Sequence, residues 1–351
     1  MHKACNINPP YLYDTISGGN RMAKETIIVT GGAGFIGSAL IWGLNQQGFD
    51  DIIVVDSPGK NESWRNLVNL RFSDFIDKNA FIEKLERGSF GCAIGGILHM
   101  GACSDTTETD VSFFMKNNFE YTRRLALWAV NKRKRFIYAS SAATYGNGHN
   151  FSDDEKLLPF LRPLNIYGYS KHLFDLWALK HGFLKKIAGL KYFNVFGPNE
   201  YHKGQMKSVV CKKFYEILSC GKATLFKSYR KDISDGEQKR DFIYIKDAVD
   251  ITLYVYQHQD KNGIYNVGTG LARSFLDVVR TVFTILNKQP CIEFIDMPEG
   301  LRDAYQYFTQ ADISKLRKAG YKKELFALEE AVGDYLKNYL LTGDPYLKCL
   351  P

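Results

Sequence analysis

The stretch Glu25-Thr26-Ile27-Ile28-Val29-Thr30-Gly31-Gly32-Ala33-Gly34-Phe35-Ile36-Gly37 decides the fold. Ile27-Ile28-Val29 is a short β-branched run that reads as a buried strand and stops at a glycine cluster. From Ile36 to Gln47 the apolar positions 36, 40, 41 and 44 follow the period of a helix. Ile52-Ile53-Val54-Val55 then reads as a second strand, ending at Asp56, 19 residues after Gly37. Strand, glycine turn, helix, strand and acidic residue in succession form one βαβ unit of the dinucleotide-binding kind. Gly31, Gly34 and Gly37 let the backbone turn tightly and approach a pyrophosphate, which the free N–H groups of the helix N-terminus then meet. Asp56 is placed to accept from a ribose 2′-hydroxyl, which favours NAD, while Lys60 and Arg65 stand close enough to hold the 2′-phosphate of NADP. The choice between the two stays open on these residues.

The pattern repeats outward from this unit. Gly96 to Met100 reads as a strand, Asn117 to Asn131 as a helix, and Arg135 to Ala139 as a strand running into Ser140-Ser141. Tyr167 to His181 is expected to be helical and Leu190 to Asn194 a further strand. Alternating elements with nearly unbroken apolar strands predict an α/β fold, a doubly wound parallel sheet of the Rossmann type, over residues 23–195. Beyond it the alternation loosens, with glycine-, lysine- and aromatic-rich loops at 199–208 and 227–240 and helices near 207–219 and 326–340. Residues 196–345 are therefore expected to form mainly a smaller C-terminal α/β domain that binds substrate and closes over the cleft. Two strand-like segments within 240–268, Phe242 to Ile245 and Ile264 to Val267, are expected to return to the main sheet.

Bulk properties narrow the function classes. The 351 residues are 45% hydrophobic and 24% charged, the balance of a soluble globular chain. The net charge of +8 is scattered, and Lys132-Arg133-Lys134-Arg135 leads directly into a strand, so it reads as a solvated helix end rather than a nucleic-acid patch. A mild positive balance suits anionic ligands. Seven cysteines at 5, 92, 103, 211, 220, 291 and 349 show no paired spacing, which predicts free thiols and no metal site. No apolar run approaches the roughly 20 residues of a membrane span, so a cytoplasmic protein without membrane contact is expected. Residues 1–22, with Pro9-Pro10 and Gly18-Gly19 and no apolar core, read as a disordered extension or a misassigned start, with the fold beginning at Met22.

The chemistry is read from Tyr167 and Lys171, four apart on a predicted helix and so on one face. A phenol of pKa about 10 is a poor base at neutral pH, and a nearby ammonium or an oxidised nicotinamide lowers it. Ser141, expected just past the end of a strand, is placed to hydrogen-bond a substrate hydroxyl.

Together, Thr30 to Gly37, Ser141 and the Tyr167-Gly168-Tyr169-Ser170-Lys171 block resemble the extended short-chain dehydrogenase/reductase superfamily. Within it the chain resembles the ADP-L-glycero-D-manno-heptose 6-epimerase family. The resemblance is carried by His99-Met100-Gly101-Ala102-Cys103-Ser104 with Thr106-Thr107-Glu108, by Tyr138 to Gly146, and by Tyr192-Phe193-Asn194-Val195-Phe196-Gly197-Pro198. His202-Lys203-Gly204, Lys239-Arg240-Asp241-Phe242, and Tyr305-Gln306 leading to Phe308-Thr309-Gln310-Ala311-Asp312 extend it to about residue 321.

The resemblance implies inversion at C6 of an ADP-heptose, a carbinol carbon whose C–H is not acidic. Oxidation to a ketone, rotation about C5–C6 and re-reduction achieve it, and two acid/base groups are needed, which map to Tyr167 and Lys203. It implies cofactor contacts at Phe35, Ile36, Asp56, Ser57, Lys78, Met100, Gly101, Ala102, Cys103, Ser104, Asn117, Lys171 and Val195. Substrate contacts are implied at Asn194, Gln205, Lys212, Phe226, Lys227, Ser228, Tyr229, Arg240 and Tyr305. Arg240 also suits a diphosphate by its forked guanidinium, the bland reading being a surface ion pair with Asp241. NADP is the implied cofactor, with NAD as the other candidate, because the family tends to carry a lysine shortly after Asp56 where this chain has Ser63. A homo-oligomer, of five copies by the family, is implied as well. A dehydratase is disfavoured, since Ala142-Ala143-Thr144 offers no carboxylate. A UDP-hexose 4-epimerase, or a non-catalytic dinucleotide-binding regulator, are the competing readings.

Overall fold

The computed structural model describes residues 25–57, 59–104, 108–148, 150–302 and 305–349. The expectations for residues 1–22 and the Thr106-Thr107 part of the resemblance lie outside them.

The strands are β1 (Thr26–Thr30), β2 (Ile52–Asp56), β3 (Asp74–Asp77), β4 (Ile94–His99), β5 (Arg135–Ser141), β6 (Ala188–Tyr192), β7 (Asn194–Phe196), β8 (Ala223–Phe226), β9 (Lys239–Tyr244), β10 (Gly263–Val267), β11 (Ala272–Ser274) and β12 (Ile292–Ile295). The helices are α1 (Phe35–Gln46), α2 (Lys78–Arg87), α3 (Val111–Phe114), α4 (Tyr121–Asn131), α5 (Ile166–Lys180), α6 (Val209–Cys220), α7 (Ile245–Gln257), α8 (Phe275–Ile285), α9 (Glu299–Arg302), α10 (Ser314–Lys318) and α11 (Leu328–Tyr335). Seven strands make a parallel sheet in the order β10-β6-β5-β4-β1-β2-β3.

Alternation along each strand feeds two cores. Ile27 and Val29 of β1, with Ile52 and Val54 of β2, pack on one face with Leu40 and Leu44 of α1 and Val249 and Leu253 of α7. Ile28, Ile53 and Val55 face the other way, onto Phe81, Leu125 and Phe174 of α2, α4 and α5. A strand buried on both faces has to be apolar at every position, and β1 is buried throughout. This is the doubly wound sheet expected from the sequence.

The segment near 240–268 divides. β10 joins the main sheet beside β6, as expected. β9 does not. It lies in the middle of a separate three-stranded sheet, parallel to β7 and antiparallel to β11. The reason is that its partner has already left: the chain turns at Phe193, and Asn194 opens β7 rather than closing β6. A third sheet pairs β8 with β12. Two helices also differ from their expected limits. The one expected at 117–131 begins at Val111 and passes through a wide turn, Met115–Glu120, before α4. The one near 326–340 is α11 followed by a second wide turn, Leu336–Leu340.

Candidate active site

At the C-terminal edge of the parallel sheet the loops after β1, β2, β4, β5 and β6 border a cleft of about 800 Å³. Gly31 sits there with φ +65°, and a Cβ on it would lie 2.5 Å from the backbone nitrogen of Gly101. The loop after β1 thus rests on the loop after β4 through bare backbone. Gly34 caps α1 with no side chain bonded to the helix N-terminus, and no acidic residue occupies its first turn. Phe35, Ile36 and Gly37 line the cleft at that end. An uncapped 12-residue helix opening through glycines onto a cleft fits the pyrophosphate of a dinucleotide.

Asp56 does more than the sequence reading asked of it. Its Oδ2 accepts from the Ala33 N–H at 2.8 Å and its Oδ1 from the Ser57 N–H at 2.7 Å, so the carboxylate braces the glycine turn. Burial raises its pKa against the opposing pull of those backbone donors. Asn66, which the sequence did not single out, donates to the Ala33 carbonyl at 2.9 Å and lies 3.2 Å from His202 Nδ1. It bridges the glycine turn to the loop that carries Lys203.

Of the expected cofactor residues, Gly31, Gly34, Phe35, Ile36, Gly37, Asp56, Ser57, Met100, Gly101, Ala102, Ser104, Lys171 and Val195 line the cleft, joined by Asn61 and Ser63. Lys78, Asn117 and Cys103 do not line it. Lys78 Nζ donates to Asn117 Oδ1 at 2.7 Å. Cys103 is held through its backbone by the side chain of Asn118, which accepts from its N–H at 2.8 Å and donates to its carbonyl at 2.9 Å. Asn118 is a second bracing residue that carries no sequence signal beyond its type.

Ser141 is the last residue of β5 rather than a residue past it. Its hydroxyl lowers the pKa of Tyr167 and accepts from the Ala143 N–H at 3.1 Å. Tyr167 stands in the first turn of α5, which Asn165 starts by accepting from the Gly168 N–H at 2.8 Å. Its side chain is half-buried and lines the cleft. Burial raises its pKa, while the Ser141 hydrogen bond pulls it down. Lys171 does not offset that rise: its ammonium donates to the Ala139 carbonyl at 2.8 Å, and burial lowers its own pKa to about 8.

Lys203 enters the same cleft from the turn Tyr201–Met206, its Nζ 5.2 Å from the centre of the Phe35 ring. Burial lowers its pKa, partly offset by Glu200. Lys207 and Lys212 line the cleft beside it. So do Asn194, Phe226 and Tyr305.

The remaining expected substrate residues are placed otherwise. Gln205 is exposed on the turn and does not line the cleft. Lys227 is 3.1 Å from Asp296, the Ser228 N–H donates to Asp235, and the Tyr229 ring lies 4.0 Å from the Arg302 guanidinium. Arg240 is only 7% exposed and sits behind the wall, 5.1 Å from the Tyr305 ring and 5.7 Å from Phe275, both lining residues. Asp241 instead accepts from the N–H groups of Thr269, Gly270 and Ala311. Among the described residues Arg240 therefore makes no ion pair. No group of His, Cys, Asp and Glu among them could hold a metal ion.

Comparison with known proteins agrees with this geometry. The model of the NAD dependent epimerase/dehydratase family matches residues 27–268. The ADP-L-glycero-D-manno-heptose-6-epimerase of Nitratidesulfovibrio vulgaris is 50% identical over 321 residues, 91% of this chain and 99% of that one. The protein of the same name from Fusobacterium nucleatum is 48% identical, covering 92% of this chain and all of its own. The crystal structure of the Helicobacter pylori ADP-L-glycero-D-manno-heptose-6-epimerase superposes with a TM-score of 0.76 at 30% identity, over 90% of this chain and 96% of that one. With the glycine turn, Ser141, Tyr167, Lys171 and Lys203 gathered around one cleft, the chain belongs to the NAD-dependent epimerase/dehydratase family and, within it, to the ADP-L-glycero-D-manno-heptose-6-epimerases.

Proposed function

We propose that the protein interconverts ADP-D-glycero- and ADP-L-glycero-D-manno-heptose by oxidation at C6 to a ketone, rotation, and reduction from the other face, supplying heptose for lipopolysaccharide core. The observation that carries this reading is that Tyr167, on α5, and Lys203, on the turn after β7, line one cleft. A nicotinamide bound along the glycine turn supplies the hydride acceptor and donor for that exchange. Tyr167 takes and returns the carbinol proton for one orientation of the sugar, and Lys203 does so for the other. Ser141 hydrogen-bonds the reacting oxygen beside Tyr167, and Lys171 anchors the cofactor ribose. Lys207 and Lys212 suit the diphosphate. Arg240 supports that end by fixing the ring of Tyr305 against the cleft.

NADP is the cofactor of this reading. Asp56 supports it, because both carboxylate oxygens already serve backbone N–H groups, and Asn61 and Ser63 line the cleft next to it. Arg65, the first arginine after Asp56 in the chain, is 3.3 Å from Glu62, which leaves NAD as the second candidate. The same reading makes the protein a cytoplasmic homo-oligomer, of five copies by its family, that takes ADP-heptose and neither nucleic acid nor membrane. No helix among the described residues is long and apolar enough to cross a membrane.

Incubation with each ADP-heptose epimer, followed at C6 by NMR, tests the activity, and mass spectrometry of nucleotide released on denaturation identifies the cofactor. Turnover of UDP-hexoses but not ADP-heptoses moves the reading to a 4-epimerase. No turnover of either, with dinucleotide still bound, moves it to a regulator. Lys203→Ala retaining full epimerisation removes Lys203 from the mechanism.

A further inference from the structure

Lys203 is carried on a turn with little to hold it in sequence: Gly204 follows it at φ +53°, and none of residues 201–206 is fully buried. The residue that holds it is Glu200, whose side chain is wholly buried. Glu200 Oε1 accepts from Ser208 Oγ at 2.8 Å, Tyr335 OH at 3.1 Å and the Gly197 N–H at 3.2 Å. Its Oε2 accepts from the Ser208 N–H, and its backbone carbonyl accepts from the Lys203 N–H at 3.1 Å. The carboxylate thus ties the end of β7, the start of α6 and α11 to the turn between them. None of these donors is a cation, and Glu200 makes no ion pair among the described residues. A carboxylate so far from water, with only neutral donors, is costly unless its charge serves a nearby cation. Burial raises the Glu200 pKa, and the Ser208 donors, the Gly197 N–H and the charge of Lys203 oppose that rise.

We infer that Glu200 is the positioning residue for Lys203: its buried carboxylate pins both ends of the turn that carries the lysine and sets the electrostatic surroundings of the amine. The inference rests on Lys203 being the second acid/base group. Around Glu200 the titratable groups are Lys203 and Tyr201 on the turn, Cys211, Lys212 and Tyr215 on α6, and Tyr335 on α11. Around Lys203 they are Glu200, His202 and Lys212. Glu200 is the one anion in that set, so it alone favours the ammonium.

The test compares Glu200→Gln with Tyr335→Phe in the full-length, cofactor-loaded protein, by kcat and KM across pH. The limb belonging to Lys203 is the one missing from the residual activity of Lys203→Ala. In Glu200→Gln that limb is expected to move to lower pH by about one unit, because losing an adjacent anion disfavours the ammonium. Its kcat is expected to fall about tenfold or more, with KM changed less than about threefold, as for a displaced proton-transfer group. Tyr335→Phe removes one hydrogen bond and keeps the charge, so its limb stays in place. A folded Glu200→Gln protein with its limb and kcat unchanged overturns the inference, whatever happens to its melting temperature. If Glu200→Gln does not fold, Glu200→Asp carries the test. It keeps the charge but shortens the reach, so kcat should fall with the limb retained, and wild-type kcat overturns the inference. A fully active Lys203→Ala instead defeats the reading of Lys203 on which it rests.

Discussion

Replacing Gly31 by alanine should damage the fold, whereas replacing Gly34 by alanine should damage only the nucleotide site. At Gly31 the new methyl group meets three backbone atoms, Gly101 N at 2.5 Å, Gly101 Cα at 2.6 Å and the Met100 carbonyl carbon at 2.9 Å. None of these is the end of a flexible side chain, so the loops after β1 and β4 must separate. Its φ of +65° adds the left-handed penalty of an L-residue, about 1–2 kcal/mol. Overpacking of this kind costs about 1–3 kcal/mol, so a total of about 2–5 kcal/mol follows. At Gly34 the nearest atom to the new methyl group is the Gly31 carbonyl oxygen at 3.1 Å, and φ is −73°, so the fold should lose less than about 1 kcal/mol. The methyl group there stands at the uncapped start of α1, where the pyrophosphate is expected. Urea unfolding of each variant stripped of nucleotide gives the stability change, and absorbance at 260 nm of the purified protein gives nucleotide content. Equal stability losses in the two variants, or a Gly31→Ala protein as stable as its parent, would refute the packing argument.

Tyr167→Phe removes the phenolic hydroxyl whose pKa Ser141 lowers, so kcat should drop by about 10²–10⁴-fold in the C6 assay. Its unfolding free energy should change by less than about 1.5 kcal/mol, and near-normal turnover would displace Tyr167 from the mechanism. Asp175 and Lys191 form a 3.1 Å ion pair with neither side chain exposed, and Tyr138 and Ser140 also donate to Asp175. Asp175→Ala strands the Lys191 charge and should cost about 3–5 kcal/mol in chemical denaturation. A loss under about 1 kcal/mol would mean that water reaches the pair. Asp247 is raised by burial from 3.8 to about 7, with Lys246, Asp250 and Lys323 around it. Its folded pKa is the higher one, so the stability it contributes is full below about pH 4 and lost as pH rises through 7. Asp247→Asn keeps an acceptor for the Phe326 N–H and should unfold at higher temperature than the parent at pH 8, with the gap closing toward pH 4. A gap that does not depend on pH would contradict this.

Local residue order was enough to read the doubly wound sheet, the glycine turn and the Tyr167–Lys171 face, because each depends on contacts within one βαβ unit or one helix. The β-branched runs at 27–29 and 52–55 have to be buried on both faces, and period and glycine spacing show that directly. Lys203 was legible only through the family resemblance, since a lysine on a glycine-flanked turn has no local mark of burial. Where that turn sits depends on residues far from it in the chain: Asn66 near the glycine turn, Asn199 bonded to Ser38 and to the Leu347 N–H, and Glu200 bonded to Tyr335. The departure of β9 from the main sheet has the same origin, because its place is set by where β7 pairs rather than by its own composition. Sequence by itself determined the elements whose hydrogen bonds and apolar faces are settled within a short span. Tertiary structure alone decided the carboxylate that braces Lys203, the amides that brace the glycine turn and the direction in which burial moves Tyr167. These depend on desolvation and on partners brought together from distant segments, which no window of sequence contains.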